Sequence, residues 1–323
     1  MSKLNHHPVA TDTWCIDTGL YRPQHTACYL IADSDELLFI DSGSSNNVPG
    51  LLGVLAERGF APEQVRYVMP THVHLDHAGG AGALMAACPY ATLVTHERGA
   101  PHLIDPAKLQ AGATAVYGEN EFNRRFGELI PVPGERVIAA GDGQSFTLGK
   151  RRIRFADTPG HANHHGCFLD ESSRLWFTGD TFGLSYREFD RDGVPLLLAT
   201  TTPVAFDPDA WLASLDKLMA ADPAGMCLTH FGRLNNPGAL VGALRDNIRA
   251  HAELALAEEA NDETGRAERL QQAVAGLLLG MAERHQPAMA LDRARALLAL
   301  DIALNAQGLH VWLKRRAKSS GQS

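Results

Sequence analysis

Residues 70–80 read PTHVHLDHAGG, and within six positions they supply three imidazoles and a carboxylate: His72, His74, Asp76 and His77. These are the donor types that zinc, iron and manganese accept, so the stretch can bind one ion or begin two sites. On an extended segment alternate residues face the same way. His72, His74 and Asp76 are therefore expected to point into one pocket, with His77 beginning the next turn. Three further segments end in groups of the same kind: TPGH places His161, TGD places Asp180 and LTH places His230. Seven such side chains, each shortly behind an apolar run, point to a metal centre rather than to scattered solvated histidines.

Chemistry of this kind needs a frame that brings four distant segments together. The runs VRYVM (65–69), RRIRFAD (151–157), RLWFT (174–178) and AGMCL (224–228) have the length and composition of strands. Polar residues at the C-terminal ends of strands occupy the edge where open α/β sheets place their sites. Upstream, TWCIDTG, TACYLIA and ELLFIDSG read as short strands, helical spacing closed by Gly59 predicts a helix over 47–59, and another starts near Ala78. From Pro237 onward alanine, leucine, arginine and glutamate recur at helical period. They predict three helices, roughly 238–260, 264–285 and 289–313, broken at Asn261-Asp262 and near Pro287. The reading is an α/β domain of residues 1–236 followed by an α-helical extension of residues 237–323.

Composition narrows the function classes. With 323 residues, 45% apolar and 20% charged, the chain can bury a sizeable core, and it has no apolar run long enough for a membrane span. A net charge of −8 and the lack of a basic run before the last dozen residues argue against a nucleic-acid partner. The five cysteines, Cys15, Cys28, Cys88, Cys167 and Cys227, form no CxxC pair and read as reduced core residues. MSKLNHHPVATD lacks the apolar segment of a secretory signal, so a cytoplasmic location is expected.

The full set of His72, His74, Asp76, His77, His161, Asp180 and His230 resembles the metallo-β-lactamase-fold hydrolase superfamily over about residues 12–235. The resemblance implies a four-layer αβ/βα sandwich with two divalent ions, zinc first and iron or manganese as alternatives, in the cleft between its halves. It assigns His72, His74 and His161 to the first ion, Asp76, His77 and His230 to the second, and Asp180 to both. It makes Asp76 and Asp180 the catalytic carboxylates around a shared hydroxide. THERGAPHLIDPAKL, TPGHANHH, THFG and DIALNAQGLHVWLKR are similar to a stand-alone bacterial and archaeal subfamily with a helical extension. Where glyoxalase II-like relatives read GHTxGH, His164 here replaces a glycine and His165 matches the histidine.

The resemblance implies a hydrolase of a small acyl substrate, a thioester or lactone. A small-molecule phosphodiesterase, a mononuclear-iron persulfide dioxygenase and a non-catalytic regulatory effector are the alternatives. His25, His164, His165 and Tyr186 are the expected substrate contacts, with a loop-bridging role open for His165 and an oxyanion or carboxylate role open for Tyr186 and Arg187. His96 and Glu97 are expected to cap a helix or loop. Asp41, in DSGSS, is expected to support the metal loop, since that stretch lacks the lysine of a phosphate-binding loop. The apolar faces of the extension would pack on the sandwich or on a second copy in a homodimer.

Overall fold

The run ACYLIA (27–32) is buried at every position. Cys28, Leu30 and Ala32 join one apolar cluster, while Ala27, Tyr29 and Ile31 join another. That period-two division marks a strand covered on both faces, and it sets the layering of the molecule. The computed structural model describes residues 3–320.

The first sheet holds β1 (His6–Ala10), β2 (Thr13–Asp17), β3 (Ala27–Asp33), β4 (Glu36–Ile40), β5 (Val65–Met69), β6 (Thr92–His96) and β7 (Val137–Ala140) in chain order. Its first four strands pair antiparallel and the pairings from β4 to β7 are parallel. Between its strands lie α1 (Val48–Glu57), α2 (Leu75–Ala78), α3 (Ala81–Ala87), α4 (Ala100–Ile104), α5 (Ala107–Tyr117) and α6 (Glu119–Arg125). The second sheet holds β8 (Ser145–Leu148), β9 (Arg151–Asp157), β10 (Gly166–Asp170), β11 (Leu175–Gly179), β12 (Gly225–Leu228) and β13 (Gly232–Asn235). Helix α7 (Pro208–Met219) crosses from β11 to β12, which pair in parallel.

The sheets face each other through Tyr29, Leu38 and Met69 on one side and Phe155, Phe168 and Phe177 on the other. Helices α1 and α3 cover the outer face of the first sheet through Leu51, Leu55 and Leu84. Across the outer face of the second lie α7 and the extension: α8 (Pro237–Glu259), α9 (Arg266–His285), α10 (Leu291–Leu297) and α11 (Ala299–Ser320). Trp176, Met226 and Leu228 share one cluster with Leu244, Leu278 and Leu309, so the expected αβ/βα sandwich is present and the extension has no core apart from it. Its expected third helix is two, α10 and α11, meeting at Leu298 with a 60° bend. Among the described residues no single helix is long and apolar enough to cross a membrane.

One buried histidine makes this packing sensitive to acid. His251 of α8 donates from Nδ1 to the Asn247 carbonyl (2.9 Å), and its Nε2 faces the Asn305 amide nitrogen at 3.4 Å. That nitrogen is a donor, so only the neutral ring fits. Burial pushes the His251 pKa down to about 4, below the roughly 6.5 of an unfolded chain. Because the folded value is the lower, protonation favours unfolding. The neutral ring's contribution is intact above about pH 6.5 and is lost as pH falls toward 4, a cost approaching about 3 kcal/mol. His251→Gln is expected to lose less thermal stability than the parent between pH 7 and pH 4.5. Equal acid losses in paired melting curves would reject this.

Candidate metal centre

Strand β5 ends at Met69 and α2 begins at Leu75, so the histidine-rich stretch runs off a strand tip into the first turn of a helix. The helix start breaks the alternation expected across residues 72–76. His72 and His74 face together, and Asp76, already helical, still lines the same cavity as His74 but groups with His77 and His230, as the resemblance implies. His161 stands on the loop after β9, Asp180 directly after β11 and His230 just after β12. Four strand tips therefore meet at one edge of the two sheets.

The donor atoms converge closely. His72 Nε2 lies 2.7 Å from His74 Nδ1, which is 3.3 Å from His161 Nε2. Asp180 Oδ2 is 3.3 Å from His161 Nε2, and its Oδ1 is 3.3 Å from His77 Nε2. Asp76 Oδ2 is 3.2 Å from His230 Nε2. One atom from each of His72, His74, His161 and Asp180 falls within 4.8 Å of the others, and the same holds for Asp76, His77 and His230. Asp180 thus directs one oxygen toward each group.

The outer nitrogens are tied down, which fixes which nitrogen faces inward. His77 Nδ1 donates to Asp41 Oδ2 (2.9 Å), His161 Nδ1 to the Thr200 carbonyl (2.9 Å) and His230 Nδ1 to the His25 carbonyl (2.8 Å). Each leaves its Nε2 aimed at the centre. His77 Nε2 and Asp180 Oδ1 are buried and carry no hydrogen bond. Converging imidazole lone pairs repel one another unless a cation lies among them, so both groups are able to hold metal ions.

Electrostatics favour metal-ready protonation states at the two carboxylates and at the first three histidines. Burial opposes ionisation of Asp180, but His77, His161 and His230 overcome it and hold the carboxyl well below the usual range. Asp76 is likewise lowered, burial being outweighed by His77 and His230. His72 and His74 are held well below the ordinary imidazole value by burial and by their neighbouring rings, and burial also lowers His161. Ionised carboxylates and neutral imidazoles are the protonation states a metal requires of its ligands. At His77 and His230 burial is outweighed by Asp180 and its neighbouring carboxylates, which raise both rings, so a cation entering that group would displace their protons.

The centre forms the floor of a cavity of about 600 Å³, roofed by α5 and by the first turns of α11. His25, His164 and Tyr186 line it. His25 stacks on Tyr186 with ring centroids 5.0 Å apart, and His164 has a buried, unpartnered Nδ1, burial and His161 lowering its pKa to about 4. His165 does not line the cavity. Its Nε2 accepts the Asp180 amide N–H (3.2 Å) and its Nδ1 meets the hydroxyls of Thr158 (3.0 Å) and Thr181 (3.1 Å), so the ring bridges two ligand loops. Arg187 turns away to the Phe231 carbonyl and Asp190, and His96 bonds Asp157 and the Arg98 amide, apart from the metal groups.

The extension reaches a ligand through one loop. Asn305 of α11 accepts from the Thr201 amide (2.8 Å) and donates to the Ala199 carbonyl (3.1 Å), and Asn247 of α8 accepts from the Ala199 amide. Between them lies Thr200, whose carbonyl holds His161. Gly308 makes this approach feasible, since a Cβ there would stand 1.4 Å from the Thr201 carbonyl oxygen. Gly308→Ala is therefore expected to force α11 off the loop, costing about 1–3 kcal/mol of stability and weakening metal retention at His161. Denaturant unfolding and a chelator competition check both; a variant unaltered in either would remove the link.

Comparison with known proteins places this geometry. The family model described as the metallo-beta-lactamase superfamily matches residues 21–230. The chain belongs to that superfamily. The metallo-beta-lactamase fold-containing protein of Sulfurisphaera tokodaii is 28% identical over 65% of this chain and 74% of its own length. The atrochrysone carboxyl ACP thioesterase of Aspergillus fumigatus is 30% identical over 50% of this chain, and the match spans only 42% of that protein. A solved metallo-beta-lactamase family protein from Thermus thermophilus superposes with a TM-score of 0.65 at 18% identity, covering 96% of this chain and 95% of the other. At that identity the likeness speaks for the fold alone.

Several residues of this metallo-β-lactamase superfamily member escaped the sequence reading. Thr71 and Thr229 both donate to Asp41, at 3.0 and 2.7 Å, and each directly precedes a ligand histidine; the repeated Thr-His pair was the available signal. Asn247, Asn305 and Asp301 gave none, because they sit inside apolar helical periods whose default meaning is packing.

Proposed function

We propose that the chain is a metal-dependent hydrolase of small thioesters, with lactones as the neighbouring substrate class. The observation carrying this reading is Asp180, with one oxygen toward each of two ligand groups on the floor of a largely apolar cavity. His72, His74 and His161 would hold one divalent ion, Asp76, His77 and His230 a second, and Asp180 would serve both; zinc fits these donors, as do iron and manganese. When bound, such a pair lowers the pKa of a water and polarises a carbonyl.

The chain's own part is to position and to exclude water. The roof from α5 and α11 limits solvent around the acyl group, which strengthens every charge interaction beneath it. Asp76 Oδ2, 3.2 Å from His230 Nε2, stands at the cavity edge of the second group, where its anionic carboxylate can orient a water by accepting a hydrogen bond. Water adds to the carbonyl carbon, the C–S bond breaks, and acid and thiol leave. The fungal relative named a thioesterase supports this choice of substrate over a phosphodiester. The second group, Asp76, His77 and His230, argues against a mononuclear oxygenase, which would not need it.

The test is metal per chain by elemental analysis, with hydrolysis of a thioester, a lactone and an activated phosphodiester measured on the same sample. About two ions per chain with thioester cleavage is the expected result. One iron per chain with no hydrolysis, and oxygen uptake with a persulfide, would overturn it.

A further inference from the structure

Opposite the ligand groups, the cavity wall carries a carboxylate that the hydrolytic reading does not use. Asp301, in the first turn of α11, lines the cavity yet is only 8% exposed. Its Oδ1 accepts the Tyr186 hydroxyl at 2.9 Å, whereas its buried Oδ2 has no hydrogen-bond partner. Tyr186 is itself fixed on both faces, by the His25 ring at 5.0 Å and by the Arg22 guanidinium 4.4 Å from its centroid. Its ring centroid is 6.5 Å from that of His230. The Tyr–Asp pair therefore leaves one buried carboxylate oxygen unpartnered in the cavity wall, on the side of the second metal-binding group.

A buried carboxylate oxygen without a donor is costly, so a side chain held this way is matched to something that donates. The surroundings select the kind of donor. Leu184, Leu300 and Leu304 line the same cavity, and bringing an ammonium into such a lining requires desolvation that one carboxylate, already engaged by Tyr186, repays poorly. A hydroxyl or amide N–H loses far less hydration on entry. Burial also pushes the Asp301 carboxyl up to about 6, the Tyr186 bond opposing, as befits a carboxylate with little water around it.

We propose that Asp301, positioned by Tyr186, is a specificity residue whose Oδ2 accepts a hydrogen bond from a neutral donor, a hydroxyl or amide N–H, carried on the organic part of the substrate. The inference rests on the thioesterase reading for the reaction but not for the recognition itself. It narrows the substrate class from any small thioester to those bearing a donor several bonds from the scissile carbonyl.

The test pairs thioesters of equal carbon number, with a hydroxyl at successive chain positions or with none, on the metal-loaded protein. At one position the parent should favour the hydroxylated member by about tenfold in kcat/KM, mainly through KM, as one hydrogen bond provides. Asp301→Asn keeps an acceptor for Tyr186 and removes the anionic acceptor beyond it. It should bring that ratio to within about twofold of unity, and Tyr186→Phe, which frees the carboxylate, should reduce it several-fold. An unchanged ratio in Asp301→Asn, no preference anywhere in the series, or stronger selection of an amino-bearing thioester would each overturn the proposal. Calorimetric binding of the matching non-hydrolysable thioethers separates the two readings. Hydroxyl selectivity in binding without turnover of any thioester would fail the hydrolase and keep the recognition, whereas turnover without selectivity would do the reverse.

Discussion

Asp180→Ala is expected to lower kcat/KM for thioester hydrolysis by about a thousandfold or more, near 4 kcal/mol of transition-state stabilisation, and to reduce bound metal from about two ions per chain toward one. The reason is geometric. Among the described residues Asp180 is the side chain with an oxygen near each candidate metal group, 3.3 Å from His161 on one side and 3.3 Å from His77 on the other. Its removal leaves His72, His74 and His161 able to hold an ion but withdraws the anion that couples the two groups. Its neighbours have little freedom to compensate, because His77 and His161 are each pinned through Nδ1. Elemental analysis and kinetics on the same preparation decide the matter. An alanine variant that kept two ions and most of its activity would refute the shared-carboxylate reading.

The residues able to hold metal were legible in the sequence because their chemistry is local. Each follows an apolar run, so donor type and position sufficed to pick out His72, Asp180 and their partners without knowledge of the packing, while their division into two groups came only from the resemblance. Pairing within the stretch was not local. The alternation expected over 72–76 stops at Leu75, where the backbone turns helical; Asp76 still reaches the common cavity, but beside His230, more than 150 positions away in sequence, a grouping that only the resemblance implied. The same limit explains β1 and β13. HHPVA and GRLN are short, polar edge segments that only their neighbours make into strands.

The roof of the cavity was least legible. Helix α5 carries a weak apolar pattern, so periodicity gave no reason to place it over the site. In the extension the pattern was clear but its meaning was incomplete. Leucine spacing foretold packing, while Asn305 and Asp301, one clamping the loop of Thr200 and the other facing the cavity, look like ordinary polar breaks until the 60° bend at Leu298 is known.

Asp41→Asn is expected to weaken the second ion by roughly 10- to 100-fold while leaving the first nearly intact, and to cost about 1–3 kcal/mol in the metal-free protein. Asp41 is wholly buried and accepts only donors: the Thr71 amide (2.8 Å) and hydroxyl, the Thr229 hydroxyl (2.7 Å) and His77 Nδ1 (2.9 Å). An asparagine matches its size and tolerates its left-handed backbone, φ 58°, so the change isolates chemistry from strain. It sets an amide N–H against one of four donors, and the partner that can turn away without breaking a ligand loop is the His77 ring. Once that nitrogen is released, the ring no longer holds Nε2 toward Asp180, and the loss falls on the group of Asp76, His77 and His230. Stepwise competition with a chromophoric chelator separates the two affinities. Equal weakening of both ions would mean that Asp41 supports the ligand loop as a whole rather than the orientation of His77.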